Sequence, residues 1–137
     1  MTIATQNAQP LIMIVDDSSS VRQQFQLAFK TENLNVIGFP DAESALAHLH
    51  LIDHGICAAV LDYRLPGMDG LALAREMRAH PHWTTNPIVM CSTTTDALTL
   101  KKAKEVGVDG WAVKPFHPRK FISTLRSLMD RETPRST

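Results

Sequence analysis

Five short apolar runs alternate with five helically spaced apolar stripes, and that alternation most narrows the folds open to this chain. Residues 11–15 (Leu-Ile-Met-Ile-Val) form a continuous apolar run, after which Val21, Phe25, Ala28 and Phe29 recur at helical spacing. Residues 34–38 read as a second, more alternating strand, followed by Ala42, Ala45, Leu46 and Leu49 on one helical face behind a cap at Asp41. Residues 57–61 are the third strand, and the stripe Leu71, Ala74, Met77 is stopped by His80-Pro81. Residues 87–91 form the fourth. Its helix rests on Ala97, Leu100, Ala103 and Val106, with Gly107 as a C-cap. Residues 111–113 make a short fifth strand before the stripe Phe121, Ile122, Leu125, Leu128, Met129. Strict βα alternation with short connections implies an α/β, doubly wound, five-stranded parallel sheet with right-handed crossovers.

In such a sheet every strand delivers its C-terminal residue to one edge, where ligands bind. The third strand ends in Asp62, then Tyr63-Arg64, a tight surface turn at Leu65-Pro66-Gly67, and Asp69-Gly70, where Asp69 is placed to cap the next helix. The first strand ends in Asp16 and Asp17, the fourth in Ser92 and Thr93, and the fifth in Lys114. Each has a plain alternative: Asp62 opening a turn, Asp16-Asp17 capping the first helix, Ser92 a loop hydroxyl, Lys114 a solvated lysine. Agreement among four strand tips argues against all of these together. Three converging carboxylates repel one another without a cation, and an all-oxygen donor set points to Mg²⁺, with the hydroxyl and ammonium opposite completing a phosphate cradle.

The chain has 137 residues and 44% hydrophobic content, enough for one domain with a core. Its 14 basic and 14 acidic residues cancel, which argues against direct nucleic-acid binding and against a membrane-surface patch. The first ten residues lack a basic and apolar leader, and no segment is long enough to insert in a bilayer, so a cytoplasmic location is expected. Cys57 begins its run and Cys91 ends its own; parallel neighbours would hold them about 13 Å apart, beyond disulfide reach, so both are read as core thiols. His48, His50 and His54 do not share one helical face and read as solvated.

These motifs resemble the CheY-like response-regulator receiver domain over residues 11–129. Val15-Asp16-Asp17-Ser18 resembles the family's acidic pair, Asp62 with Leu65-Pro66-Gly67-Met68-Asp69-Gly70 its phosphoacceptor segment, Ser92 its hydroxyl position and Lys114-Pro115-Phe116 its lysine motif. The resemblance implies a flavodoxin-like strand order 2-1-3-4-5; residues 1–10 are read as an N-terminal extension and 130–137 as a short polar tail, so no output domain is expected after the fifth helix. The resemblance also implies a phosphoacceptor rather than an enzyme: a sensor histidine kinase, or a phosphotransfer protein, is the donor to Asp62, with self-catalysed transfer and autodephosphorylation. Asp17, Asp62 and the Arg64 backbone carbonyl would bind Mg²⁺ directly and Asp16 through water. Lys114 would hold the phosphoryl group, Ser92 would hydrogen-bond it, and the Lys114-Pro115 bond is expected to be cis.

Residues 110–118 resemble chemotaxis-type members, in which Trp111 stands at the switch position, and a downstream protein would read the face formed by the fourth helix, fifth strand and fifth helix. Ser92 replaces the usual Thr, Thr93 is bulkier than the common Ala or Gly, and Thr94 lacks an acid often found there. With Arg64 and Thr94 flanking the water path and Thr93 crowding the phosphoryl group, slow dephosphorylation is expected. Pro66, Gly70 and Pro115 are read as structural. A haloacid-dehalogenase-type phosphatase also uses a strand-end Asp and Mg²⁺, but needs a second acid where Arg64 stands. A phosphorylation-independent pseudo-receiver would have lost an acid or the lysine, and none is missing.

Overall fold

The computed structural model describes residues 9–51, 55–93 and 96–131. The elements run β1 (Leu11–Val15), α1 (Ser19–Lys30), β2 (Asn35–Phe39), α2 (Ala42–Leu51), β3 (Ile56–Asp62), α3 (Gly70–Arg78), β4 (Ile88–Ser92), α4 (Ala97–Val106), β5 (Gly110–Val113) and α5 (Pro118–Met129). The five strands are all parallel, in the order β2-β1-β3-β4-β5, as expected from the sequence.

Strand side chains alternate between two apolar layers. Met13, Val15, Ala59, Leu61, Ile88 and Met90 face one cluster, which α2, α3 and α4 close with Ala45, Leu49, Leu73, Met77 and Ala103. Ile12, Ile14, Ala58, Val60, Val89 and Cys91 face the other, which α1 and α5 close with Phe25, Phe29, Phe121, Ile122 and Leu125. The period of two in the strands thus meets the period of 3.6 in the helices on both faces. Phe25 is the hub of the α1–α5 layer, with ring centroids 5.6 Å from Phe29, 5.5 Å from Phe121 and 5.3 Å from Phe116. Leu73 and Met77 are fully buried, so truncating either to Ala costs about 2–5 kcal/mol.

The helix ends follow the sequence signals. Ser18 rather than Asp16 or Asp17 caps α1, accepting from Val21 N–H at 3.3 Å. Asp41 accepts from Ser44 N–H at 2.7 Å and Asp69 from Ala72 N–H at 2.8 Å. Gly107 ends α4 at φ 103°, the left-handed conformation that favours glycine.

Two expectations change. The second strand starts one residue late because α1 ends by bonding Leu34 N–H to Phe29 O at 3.0 Å, which takes Leu34 out of the ladder and buries it. Cys57 is only half-buried although Ile56 before it is buried, because the β1–β3 register shifts from Leu11↔Ile56 to Ile12↔Ala58 and skips Cys57; Cys91 is buried, and burial pushes its thiol up to about 12. Both are free, and register puts Cys91 opposite Asp62, at the far end of β3 from Cys57. Trp83 sits in a 3-10 turn, Pro81–Trp83, and is completely buried. His48 packs on Phe39 with centroids 5.1 Å apart; His54 and the His50 side chain lie outside the described residues. No helix among the described residues is long and apolar enough to cross a membrane.

Candidate functional site

Asp62 is the last residue of β3 and only 8% exposed, because the start of α3 is packed against its backbone. A Cβ on Gly70 would lie 2.2 Å from the Asp62 carbonyl oxygen, so only glycine allows this approach. Gly70 N–H then donates to Tyr63 O at 2.8 Å, and Tyr63 N–H to Cys91 O at 3.1 Å, which locks the segment following Asp62 to β4. The intervening turn has Gly67 at φ 74°, and Glu43, in the first turn of α2, accepts from Met68 N–H at 3.3 Å. Nothing in the sequence marked Glu43, since an acid just after a helix cap ordinarily serves the helix itself.

Asp16, 2% exposed, is held by its own loop: its N–H donates to Phe39 O at 3.0 Å and its Oδ1 accepts from Ser18 N–H at 2.9 Å. The β5 side brings Lys114, whose N–H donates to Ser92 O at 2.8 Å and whose peptide bond to Pro115 is cis, as expected. Its Nζ lies 2.9 Å from Asp16 Oδ2 and 3.3 Å from Asp62 Oδ2. Oxygens of Asp16, Asp17 and Asp62 lie within 4.8 Å of one another, with Asp17 exposed on the solvent side.

The electrostatics follow from this crowding. Burial first, and then the Asp16 charge, raise the Asp62 carboxyl above its ordinary value, and Lys114 only partly offsets them. For Lys114 burial is the largest influence and acts downward. The hydrogen bond and charge of Asp16, together with Asp62, outweigh it and leave the ammonium raised.

A family model, the response regulator receiver domain, matches residues 12–126. The chain belongs to this family. Receiver domains accept a phosphoryl group on Asp from histidine kinases and bind Mg²⁺ at an acidic cluster. This receiver is 30% identical over 123 residues to the transcriptional regulatory protein CseB of Streptomyces coelicolor, covering 90% of this chain and 50% of that protein. It is 28% identical over 123 residues to the phosphate regulon transcriptional regulatory protein PhoB of Pseudomonas aeruginosa, covering 90% of this chain and 53% of that protein. The chain spans about half the length of the curated relatives it matches. Among solved structures, Vibrio cholerae chemotaxis protein CheY4 superposes with TM-score 0.82 at 29% identity, covering 88% of this chain and 99% of that one.

The receiver's donor set fits Mg²⁺: three carboxylates converge, no His or Cys among the described residues joins them, and burial and the Asp16 charge raise the Asp62 carboxyl more than Lys114 offsets. Around this centre Ser92 is 1% exposed at the end of β4, while Thr93 and Arg64 are exposed at its rim. Trp111 is half-buried, in register with Met90 and 6.0 Å from the Tyr63 ring. Thr94 lies outside the described residues.

Proposed function

We propose that this receiver takes a phosphoryl group from a histidine kinase or phosphotransfer protein onto Asp62, and that the transfer needs Mg²⁺. The observation that carries the reading is the Lys114 ammonium lying between Asp16 and Asp62, within 2.9 and 3.3 Å, in the carboxylate triad itself. Asp17, Asp62 and the Arg64 backbone carbonyl would hold Mg²⁺ directly, and Asp16 through water. A bound Mg²⁺ supplies neutralisation of the carboxylates and of the incoming phosphoryl oxygens. Asp62 attacks phosphorus as the donor's P–N bond breaks, and the leaving imidazole keeps the electron pair. Lys114 holds a phosphoryl oxygen, so catalysis is positioning and electrostatics without an added base. The chain works as a phosphoacceptor rather than as an enzyme with a separate substrate. Membership in the receiver family sets the haloacid-dehalogenase reading aside, and the intact acids and lysine speak against a pseudo-receiver.

Ser92, Trp111 and the α4-β5-α5 face would carry the switch to a downstream protein partner in the cytoplasm. The added charge, about −1.5 to −2, is enough to draw the Ser92 hydroxyl inward. Thr93, exposed at the rim, would shield the phosphoryl group from water together with Arg64, so Thr93→Ala should shorten its half-life. Intact mass after phosphoramidate and Mg²⁺ tests the central step: one phosphoryl adduct, on Asp62, not formed when EDTA is present from the start and absent in Asp62→Asn. Full labelling of Asp62→Asn, or labelling insensitive to EDTA, would overturn it.

A further inference from the structure

The loop that presents Asp16 and Asp17 is gripped at both ends of one residue. While Asp16 N–H bonds Phe39 O of β2, the Asp16 carbonyl accepts from the Arg22 guanidinium, which reaches back from the first turns of α1. To arrive there the Arg22 side chain passes directly over Gly38 of β2. A Cβ at Gly38 would lie 3.1 Å from Arg22 Cδ. Gly38 is exposed and lies outside the positive-φ region, so its backbone does not require glycine. Glycine inside a strand weakens it, and often marks a place where another group must come close. Here that group is Arg22.

We propose that Arg22 is a positioning residue for the carboxylate cluster and that Gly38 is present to admit it. The proposal rests on the Mg²⁺-dependent phosphoacceptor reading of the site. Arg22 touches no carboxylate; it fixes the peptide between the two neighbouring acids, so that Asp16 keeps its Oδ2 on Lys114 and Asp17 stays turned toward Asp62. Holding the loop in advance removes an ordering cost from metal binding, as outer partners of metal ligands do elsewhere.

Four variants decide it: Arg22→Ala, Arg22→Lys, Gly38→Ala and the double Arg22→Ala/Gly38→Ala. Two readouts are needed. Amide exchange without metal follows the Ser18 N–H that bonds Asp16 Oδ1, and calorimetric titration gives the Mg²⁺ dissociation constant. Arg22→Ala should speed Ser18 exchange selectively and raise the Mg²⁺ constant about tenfold, the lower end for outer-shell partners. Arg22→Lys, which can still donate to the carbonyl, should recover most of both. Gly38→Ala should raise the constant about threefold in the wild-type background and have no effect once Arg22 is gone, because coupled neighbours are not additive. An equal Gly38→Ala effect in both backgrounds overturns the proposal. So does an Arg22→Ala protein with unchanged Mg²⁺ affinity, even if its stability falls, since that is a brace for the fold alone. A wild type that binds no Mg²⁺ would bring down the reading of the site, and Ser18 exchange would still decide the clamp.

Discussion

At the N-terminal edge of the sheet Arg78 reaches from the end of α3 to Gly107 O at 3.1 and 2.8 Å, Trp83 O at 2.6 Å, Asn86 O at 2.7 Å and Asp109 Oδ2 at 2.9 Å. Asp109 also takes Ile88 N–H at 2.9 Å, and Arg131 approaches its other oxygen at 3.5 Å. At the C-terminal edge three carboxylates, Asp16, Asp17 and Asp62, converge and Lys114 pairs with two of them, Asp16 and Asp62, which leaves two negative charges more than the ammonium balances. Both edges draw charge out of water. One neutralises it within the chain and thereby ties α3, β4, β5 and the intervening turn together; the other leaves it open for something that arrives from outside. A buried charge is tolerable where its partners are built in, and useful where they are not.

The sharpest way to break this comparison is to open the closed edge. Arg78 and Asp109 side chains are 13% and 8% exposed, so Arg78→Ala takes the nearest cation from a buried carboxylate and a donor from three carbonyls and should cost about 3–5 kcal/mol in urea unfolding. Arg78→Lys should recover little, since one ammonium cannot serve three carbonyls and a carboxylate at once. A loss below about 1 kcal/mol would mean that the network is ornamental. At the open edge, Gly70→Ala drives a Cβ into the Asp62 backbone and should cost about 3 kcal/mol, with slower phosphorylation because Asp62 itself is displaced. Unchanged stability and rate would mean that α3 moves away freely.

Lys114→Ala should be milder, about 1–2 kcal/mol, because the lysine side chain is 21% exposed and its pair is partly screened. Its folded-state pKa is raised, so its contribution is complete below the ordinary 10.5 and is lost only as alkaline pH passes through the raised value. A stability difference from wild type that disappears already near neutral pH would contradict this. The smallest effect is optical. In a Trp83→Phe background, beryllofluoride with Mg²⁺ should change Trp111 emission, and Ser92→Ala should suppress the change. In that background the loss of the buried Trp83 Nε1 breaks no hydrogen bond among the described residues. Unaltered emission with the mimic bound would remove Trp111 from the switch.

All five βα units and every strand-tip residue of the site could be read from the sequence, because apolar periodicity and the polarity of a parallel sheet act locally and repeat. What escaped depends on side chains that meet across the fold. Trp83 lies in a polar stretch with no periodicity, and only the Pro81–Trp83 turn carries it into the core. Nothing in the sequence singled out Arg78, whose partners lie up to 31 positions along the chain. Arg22 and Glu43 act on backbone groups of neighbouring loops, a role that residue type alone does not reveal. Cys57 was misjudged because an apolar run does not show where the register with its neighbour shifts, as it does at Cys57.

Thermal unfolding of wild type and Asp62→Asn, each with and without Mg²⁺ at neutral pH, tests most directly whether the open edge is held out of balance for a cation. The Asp62 carboxyl is raised on folding, so its stabilising effect is full only below the unfolded-state value of 3.8 and is lost as pH rises through the folded value. At neutral pH its charge therefore works against the fold. The expected result is an Asp62→Asn protein about 3–5 °C more stable than wild type without metal, with a Mg²⁺-induced rise much larger in wild type than in the variant. A variant less stable than wild type without metal, or equal Mg²⁺ shifts in both, would contradict it.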